Sequence, residues 1–507
     1  MREKQKQSLF ASKVTQVCVF LYVIFMISCS KDDKVIENTA ESISVEQPEF
    51  TTYSGDEIKF KITFNDYHMN GAADTLIFKI DGTALNACMG GSPQITEPSL
   101  LRGIWDVSIK LPRSNYLGPK QIKVCDGRGK IISDGPQVNF VKAYQLAIVC
   151  DIYKNSPGVY PGLLGYRWSV SARYHGICRF DDNSVMVRNN LLGDELLSEV
   201  KFAKFSFDKF TPESESTFTY NIELYKRRQT NMMNFIHSGL FNFSTQLGMF
   251  HVNPSTDFYV GRVNVDVLKE AFFRICVSTG NESFIPYSSL VQHFGYLKII
   301  QDIKVSSTEC VYALQEKSCC VKGIIGVGNI QFTIGSETEK GYKDGDFSTV
   351  LFDTIKGIAI DAADNLYVAE AQRVRKITPD RNVTTILDNG LIDVQGIFAM
   401  NDGRVYLFDD DKIKILNKEH TQLTEYYIRN KLNAFNNRLP VLKGPICVTE
   451  NGIVYLFRDV SDGAGERNIA CLIPEELVPD KVLEQYPSGL FIRPKDPDNI
   501  LLPYYVE

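Results

Sequence analysis

The chain has 507 residues, long enough for about three domains. Hydrophobic residues make up 44% and charged residues 23%, which excludes an intrinsically disordered chain. The formal net charge of −6 excludes the overall basic balance of a nucleic-acid binder. Tyr and Phe are abundant, at 24 and 31, against two Trp and six His, a composition that suits many short strands.

Residues 1–13 carry Arg2, Lys4, Lys6 and Lys13 against one acid, Glu3. The run VTQVCVFLYVIFMIS follows, apolar for barely a dozen residues. A membrane-spanning helix needs about 20 apolar residues, so the run is too short to span and fits the apolar region of a secretory signal. It ends Met26-Ile27-Ser28-Cys29 and turns polar at once. That ending resembles the lipobox of bacterial lipoproteins, in which the Cys becomes the lipidated first residue of the mature protein. Ser30, Lys31, Asp32 and Asp33 resemble the acidic export tag of Bacteroidetes surface lipoproteins. The resemblance implies a signal peptide over 1–28, a lipid on Cys29, a tether over 29–41 and a place on the outer leaflet of the outer membrane. Acyl chains contribute about 0.8 kcal/mol per buried CH₂, so such a protein is anchored and does not span.

With Cys18 and Cys29 set aside, ten cysteines remain, an even number that permits disulfides in an exported protein. None falls in a metal-binding spacing. Several lie in apolar runs (GIC, RICV, ECVY, PICV), where a free thiol packs as a small hydrophobe, so mostly free and buried cysteines are expected.

In IKFKITF, Ile58, Phe60, Ile62 and Phe64 alternate with polar residues, the period of a half-buried strand. Further strands are predicted at 75–82, 104–112, 120–129 and 136–144, separated by DGTA, DGRG and SDGP turns. Trp105, Val107, Ile109 and Leu111 share one face, which places Trp105 in a core. This spacing over about 100 residues predicts a β-sandwich. The lead-in SGDEIKFKITF and the late pair LGPKQIKVCDGRGK resemble the IPT/TIG immunoglobulin-like domain, over 42–142.

The segment GIAIDAADNLYVAEAQRVRKITPDRNVTTI (357–386) resembles an NHL repeat. Its offset of ten residues from Gly357 to Tyr367 recurs at Gly396/Tyr406, Pro445/Tyr455, Asp302/Tyr312 and Gly176/Met186, and loosely around Tyr259. The six positions are spaced by 39 to 73 residues. Units of about 40–50 residues with four strands each imply a propeller. The expectation is an all-β chain whose sandwich is followed, over 143–507, by a six-bladed NHL-like β-propeller, with five or seven blades as alternatives. Either YQLAIVCDIY (144–153) or NILLPYYVE (499–507) can supply the strand that closes the ring.

No GxSxG, HExxH or P-loop pattern is present, and no cofactor is implied. His68, His175, His237, His251, His293 and His420 fall at unmatched repeat positions, so no channel metal site is expected. DDDK (409–412) reads as a solvated turn, DGDF and DNGLID likewise, and Gly326 and Gly328 as a turn between blades. The stretch 225–250 reads as a packed hairpin. Binding is better supported than catalysis. The Gly/Pro-punctuated stretch 152–176 carries Tyr153, Tyr160, Tyr166, Trp168 and Tyr174, aromatic surfaces suited to sugar rings or peptides. Packing of these rings against a domain seam is the competing reading.

Surface lipoproteins that pair an IPT/TIG-like domain with an NHL propeller occur with starch-utilisation-type outer-membrane transporters. The resemblance implies a non-catalytic lipoprotein that captures a glycan or peptide, or docks on the transporter, without nucleic acid. A hydrolase or lyase with a central-channel site, and a structural or adhesive protein-binding module, are the alternatives; fold alone does not decide among them.

Overall fold

The computed structural model describes residues 43–68, 76–91, 94–97, 100–112, 116–149, 177–189, 201–207, 218–226, 249–253, 257–260, 272–276, 282–285, 300–308, 310–315, 317–325, 330–429, 441–459, 467–479 and 490–494. Among the described residues the chain is all-β apart from a 3-10 turn at Glu475–Leu477. It divides into two compact units, 1–142 and 143–507. Among the described residues no helix is long and apolar enough to cross a membrane.

The first unit is a sandwich of two five-stranded sheets. One runs in the order Ile43–Val45, Glu57–His68, Leu100–Lys110, Asn86–Gly91, with Gln94–Glu97 also on Leu100–Lys110. The other runs Glu49–Thr52, Ile131–Phe140, Gly118–Cys125, Ile77–Ile80, Thr83–Ala84. The alternation of the sequence sets the inner faces: Ile58, Phe60, Ile62 and Phe64 meet Phe78, Ile80, Ile122, Val124, Val138 and Phe140 in one core. Phe60 and Phe78 make an edge-to-face contact at 5.9 Å. Val107, Ile109 and Leu111 are buried, as their shared face required. Trp105 is half-buried at the end of that face, its ring 5.4 Å from Phe64.

The second unit is a propeller. Among the described residues it contains six four-stranded antiparallel sheets. Their first strands are Ile177–Asp181, Met249–Asn253, Ile300–Val305, Ile355–Ile360, Val394–Ala399 and Val441–Val448. Each of these touches the next, and the last touches the first, so the inner strands run in a closed circuit. Met186, Tyr259, Tyr312, Tyr367, Tyr406 and Tyr455 all lie in the second strand of a sheet. The ten-residue offset is thus the length of one strand-turn-strand step.

The Gly-Ile pair that opens the repeat has a packing reason. A Cβ on Gly357 would lie 3.1 Å from Ile397 of the next sheet, and one on Gly396 would lie 3.1 Å from Ile446 of the sheet after that. The missing side chain admits the following isoleucine, and the inner strands close up.

The ring is closed by Lys142–Val149, which pairs antiparallel with Arg467–Pro474 as the outer strand of the last sheet. The candidate closing stretch at 499–507 lies outside the described residues. A further strand, Leu490–Pro494, runs parallel both to 147–149 and to 218–220, bridging the last sheet and the first.

In two successive blades a buried acid fastens the loop that enters the blade. Asp409 ends the second strand Val405–Asp409 and is fully buried. Its carboxylate accepts the amides of Ile392 at 3.1 Å and Asp393 at 2.6 Å, and the Lys414 ammonium at 2.7 Å. Glu370 holds the same place one blade earlier, accepting the Asp353 amide at 2.5 Å and facing Arg375 at 3.5 Å. Arg375 is itself buried, and donates to the carbonyls of Lys343 and Leu351 and to Asp344. Burial pushes the Glu370 carboxyl above its ordinary range, against the opposing pull of the Asp353 amide and Arg375. One blade earlier again, buried Gln315 and Lys322 occupy the matching positions, with Lys322 turned to Glu337 at 2.8 Å.

These observations correct two expectations. The DDDK stretch is not all solvated: Asp409 is a buried anchor, and only Asp410 and Asp411, both at positive φ, form the hairpin turn. The Asp344 of DGDF is exposed although it accepts from Arg375 and Thr385, and the Asp393 of DNGLID pairs with Lys356 at 2.9 Å with half of its side chain exposed, so both stretches are solvated as expected. Gly326 and Gly328 lie outside the described residues but fall between Cys320–Ile325 and Ile330–Gly335, within one blade and not between two. Of the stretch 225–250, the described ends close one sheet and open the next, so it joins blades; the rest lies outside the described residues.

The Asp409 anchor sets a stability test. Asp409→Ala leaves buried Lys414 with only the longer ion pair to Glu425 at 3.6 Å and strands the amides of Ile392 and Asp393, at a cost of about 3–5 kcal/mol. Lys412→Ala removes the part-exposed pair with Glu425 and the contact with the Tyr427 ring, each worth about 0–1 kcal/mol. Urea unfolding of the two variants is expected to rank them in that order; equal midpoints would overturn the anchor.

Candidate functional site

The proposed lipid attachment Cys29, the tag Ser30, Lys31, Asp32 and Asp33, and the aromatic set Tyr153, Tyr160, Tyr166, Trp168 and Tyr174 all lie outside the described residues. The described flanks of that aromatic stretch are Val149, which ends the closing strand, and Ile177, which begins the first inner strand.

The described residues form a pocket of about 330 Å³ on one face of the ring. This face carries the turns from first to second and from third to fourth strands. The pocket opens between the blade of 394–429 and the blade completed by the closing strand. Its walls include Tyr144, Arg404, Tyr406, Tyr426, Glu450 and Glu476. The turn before Val405–Asp409 supplies Arg404, the turn before Val454–Asp459 supplies Glu450, Asn451 and Gly452, and the closing strand supplies Tyr144.

Three tyrosines form its base. Tyr144 sits opposite Pro474 in the closing pair and donates its hydroxyl to the Gly452 carbonyl at 3.1 Å. Its ring meets Tyr426 edge to face at 5.3 Å. Gly452 takes φ 83°, a left-handed turn residue that lets the carbonyl face Tyr144. Burial, reinforced by Tyr406 and Tyr426, pushes the Tyr144 phenol well above its ordinary value, and burial also raises Tyr406. Both therefore keep their protons at neutral pH and serve as hydroxyl groups.

Arg404 stands over Tyr406, 6.0 Å from the ring centre, and donates to its hydroxyl at 3.3 Å. Its Nε donates to Asp402 at 2.7 Å. Burial opposes ionisation of Asp402, but the amide and guanidinium of Arg404 outweigh it and hold that carboxyl below its usual range. Glu450 accepts from Arg179 of the first blade at 3.0 Å, and its amide donates to the Asp182 carbonyl at 2.6 Å, so one wall is tied across the ring junction.

The turn that presents Arg404 is backed by His420, whose Nε2 lies 3.2 Å from the Gly403 carbonyl and whose ring meets Tyr367 at 5.7 Å. His251 lies in an inner strand and His68 ends a sandwich strand, while His175, His237 and His293 lie outside the described residues. Among the described residues no group of three His, Cys, Asp or Glu is placed to hold a metal ion. Among the described cysteines Cys88 is exposed, and Cys125, Cys178, Cys310, Cys319, Cys320, Cys447 and Cys471 are buried. Burial pushes the Cys447 thiol up to about 12, so that side chain is an inert packing group.

Of the pocket, the sequence reading contained only Tyr406, as a repeat position, and Tyr144, as the start of a closing strand. Nothing local in the sequence joins them to Glu476, because the ring closure brings them together.

No family model and no curated protein matches the chain. In structure it is similar to a structural-genomics protein of unknown function from Bacteroides thetaiotaomicron VPI-5482, at 14% identity and a TM-score of 0.29, over 85% of this chain and 98% of that one. It is similar to the calcium-binding protein regucalcin of Agrobacterium tumefaciens str. C58, at 8% identity and a TM-score of 0.34, over 64% and 95% of the two chains. It is also similar to YCF48 from Cyanidioschyzon merolae, at 6% identity and a TM-score of 0.33, over 61% and 98%. The propeller itself is read from the strand order given above.

Burial, with the charge of Lys376, holds His420 below its ordinary imidazole value. Unfolding therefore takes up a proton between the ordinary value and the lowered one. The contribution of His420 to stability is complete above about pH 6.5 and is lost as pH falls through that window. The melting temperature of the wild type relative to His420→Gln is expected to fall as pH drops from about 7 to about 5; a difference that does not change with pH would show that His420 is not held neutral.

Proposed function

We propose that the protein is a binding lipoprotein, anchored by Cys29 in the outer membrane and facing the cell exterior. In this reading it captures a glycan or a peptide at the surface, hands it to a starch-utilisation-type transporter, and performs no chemistry. The sandwich serves as an IPT/TIG-like spacer, and the six four-stranded sheets act as the six blades that carry the capture surface. The address rests on the order of basic start, short apolar run, Cys29 and acidic tag. The capture role rests on one observation, the concave pocket of about 330 Å³ with hydroxyl, amide, guanidinium and carboxylate groups on its walls. A cleft of that size falls at the lower end of the ~300–1,000 Å³ range of small-ligand sites.

The anchor has a direct test. Cells expressing Cys29→Ala are expected to incorporate no labelled fatty acid into the protein and to release it from the membrane fraction. Lipid labelling retained in that variant would refute the anchor. Capture is tested by calorimetry of the full chain in detergent against panels of polysaccharides and peptides, where at least one member is expected to bind. A blank result across both panels would remove the capture role.

A further inference from the structure

We propose that the pocket between the last two blades recognises an uncharged, polyhydroxylated ring: the neutral sugar residue of a glycan. This rests on the capture reading above and narrows it.

The first argument is the pattern of hydrogen-bonding groups. A sugar hydroxyl both donates and accepts, so its site must offer both kinds of partner. On the donor side, Arg404 uses Nε on Asp402 and Nη1 on Tyr406, and its Nη2 makes no hydrogen bond among the described residues. The Tyr406 oxygen accepts from Arg404, which directs its own proton elsewhere. Asn451 accepts from Thr449 at 2.5 Å through its oxygen, leaving its amide nitrogen to donate. On the acceptor side, the Tyr144 hydroxyl donates to Gly452 and keeps its lone pairs. Glu450 accepts from Arg179 through one oxygen and retains the other. Ile415 and Pro474 add apolar surface for the C–H face of a ring.

The second argument is charge. Of the charged groups that line the pocket one is basic, Arg404, and two are acidic, Glu450 and Glu476; Arg404 is already paired with Asp402. An anionic sugar, a phosphate or a peptide carboxylate at the remaining Arg404 nitrogen would therefore add negative charge beside Asp402, Glu450 and Glu476. A cation fares no better. Arg404 already occupies the Tyr406 ring, and Glu450 is already paired with Arg179. That leaves Glu476, an exposed carboxylate whose pull on an ammonium is screened by salt. A flat aromatic ligand lacks an open platform, since Tyr144 and Tyr426 are set edge to face against one another.

The test is calorimetry of the full chain in detergent with neutral gluco-, manno- and xylo-oligosaccharides, oligogalacturonate, chitosan oligomers and short peptides. A neutral oligosaccharide is expected to bind with an affinity that changes less than about twofold between low and high salt. Tyr426→Ala, which removes a ring from the wall, is expected to weaken binding about tenfold. Tyr426→Phe, with an unchanged melting temperature, separates loss of the hydroxyl from loss of the fold. Pocket-dependent binding of oligogalacturonate, chitosan or a peptide in place of a neutral glycan would overturn this inference and leave the capture reading standing. So would a neutral glycan whose affinity ignores both Tyr426 variants. Binding by no member of the panel would remove the capture reading and this inference together.

Discussion

The antiparallel pairing of Tyr144–Ile148 with Ala470–Pro474 joins segments at opposite ends of the second unit. Without it the last blade would have three strands and the ring two raw ends, each a row of unpaired amides and carbonyls. The closure is long in sequence, but loop entropy grows only with the logarithm of length. Burial offsets that cost: Tyr144, Leu146 and Ala147 are all inside. The inner edge of the junction is fixed independently, through Arg179 to Glu450 and the Glu450 amide to Asp182. Two fastenings at different radii stop the last blade from pivoting against the first.

Among the blades that begin at Ile355, Val394 and Val441 two devices of different chemistry recur. Near the axis, glycine on one inner strand admits isoleucine from the next, as Gly357 does for Ile397 and Gly396 for Ile446. Further out, an acid at the end of the second strand draws in the amides of the entering loop. A buried ion pair is poor at adding net stability, because desolvation cancels most of the attraction. Its value here is geometric. The loop amides of Ile392 and Asp393 need an acceptor, Asp409 supplies it, and Lys414 neutralises Asp409. The device tolerates variation: the loop before Ile355 is long enough to add the strand Gly345–Asp346, yet Glu370 still takes the Asp353 amide.

Period and alternation made the framework legible. The two-residue alternation of Ile58 to Phe64 marked the sandwich core, and the ten-residue offset to Tyr367, Tyr406 and Tyr455 marked second strands. Both signals are local, since they follow from the pleat and from the length of one hairpin step. The misreadings share one cause. Asp409 stands in a run of acids that looks like solvated turn, and a run of one composition gives no sign that its first member points inward. What buries Asp409 is Lys414 across the hairpin and the loop arriving from the preceding blade. The pocket was illegible for the same reason on a larger scale: Tyr144 and Tyr426 are in contact because the ring closes, and their sequence neighbourhoods carry no trace of each other.

That dependence ties the site to the fold by mass action. Tyr144 belongs to the closing strand, and Gly452, Pro474 and Glu476 to the blade that strand completes. The pocket therefore exists only in the closed ring. Anything that binds it binds the closed state alone, and must stabilise closure in proportion to its affinity and concentration. The closing strand begins at Lys142, directly after the last sandwich strand ends at Phe140. The covalent link between the two units thus enters the propeller at the wall of its pocket. A chain held by its N-terminal side would carry its load into the one strand whose pairing the pocket requires. Ring closure and pocket are in this way a single structural element, centred on Tyr144 and its hydrogen bond to Gly452.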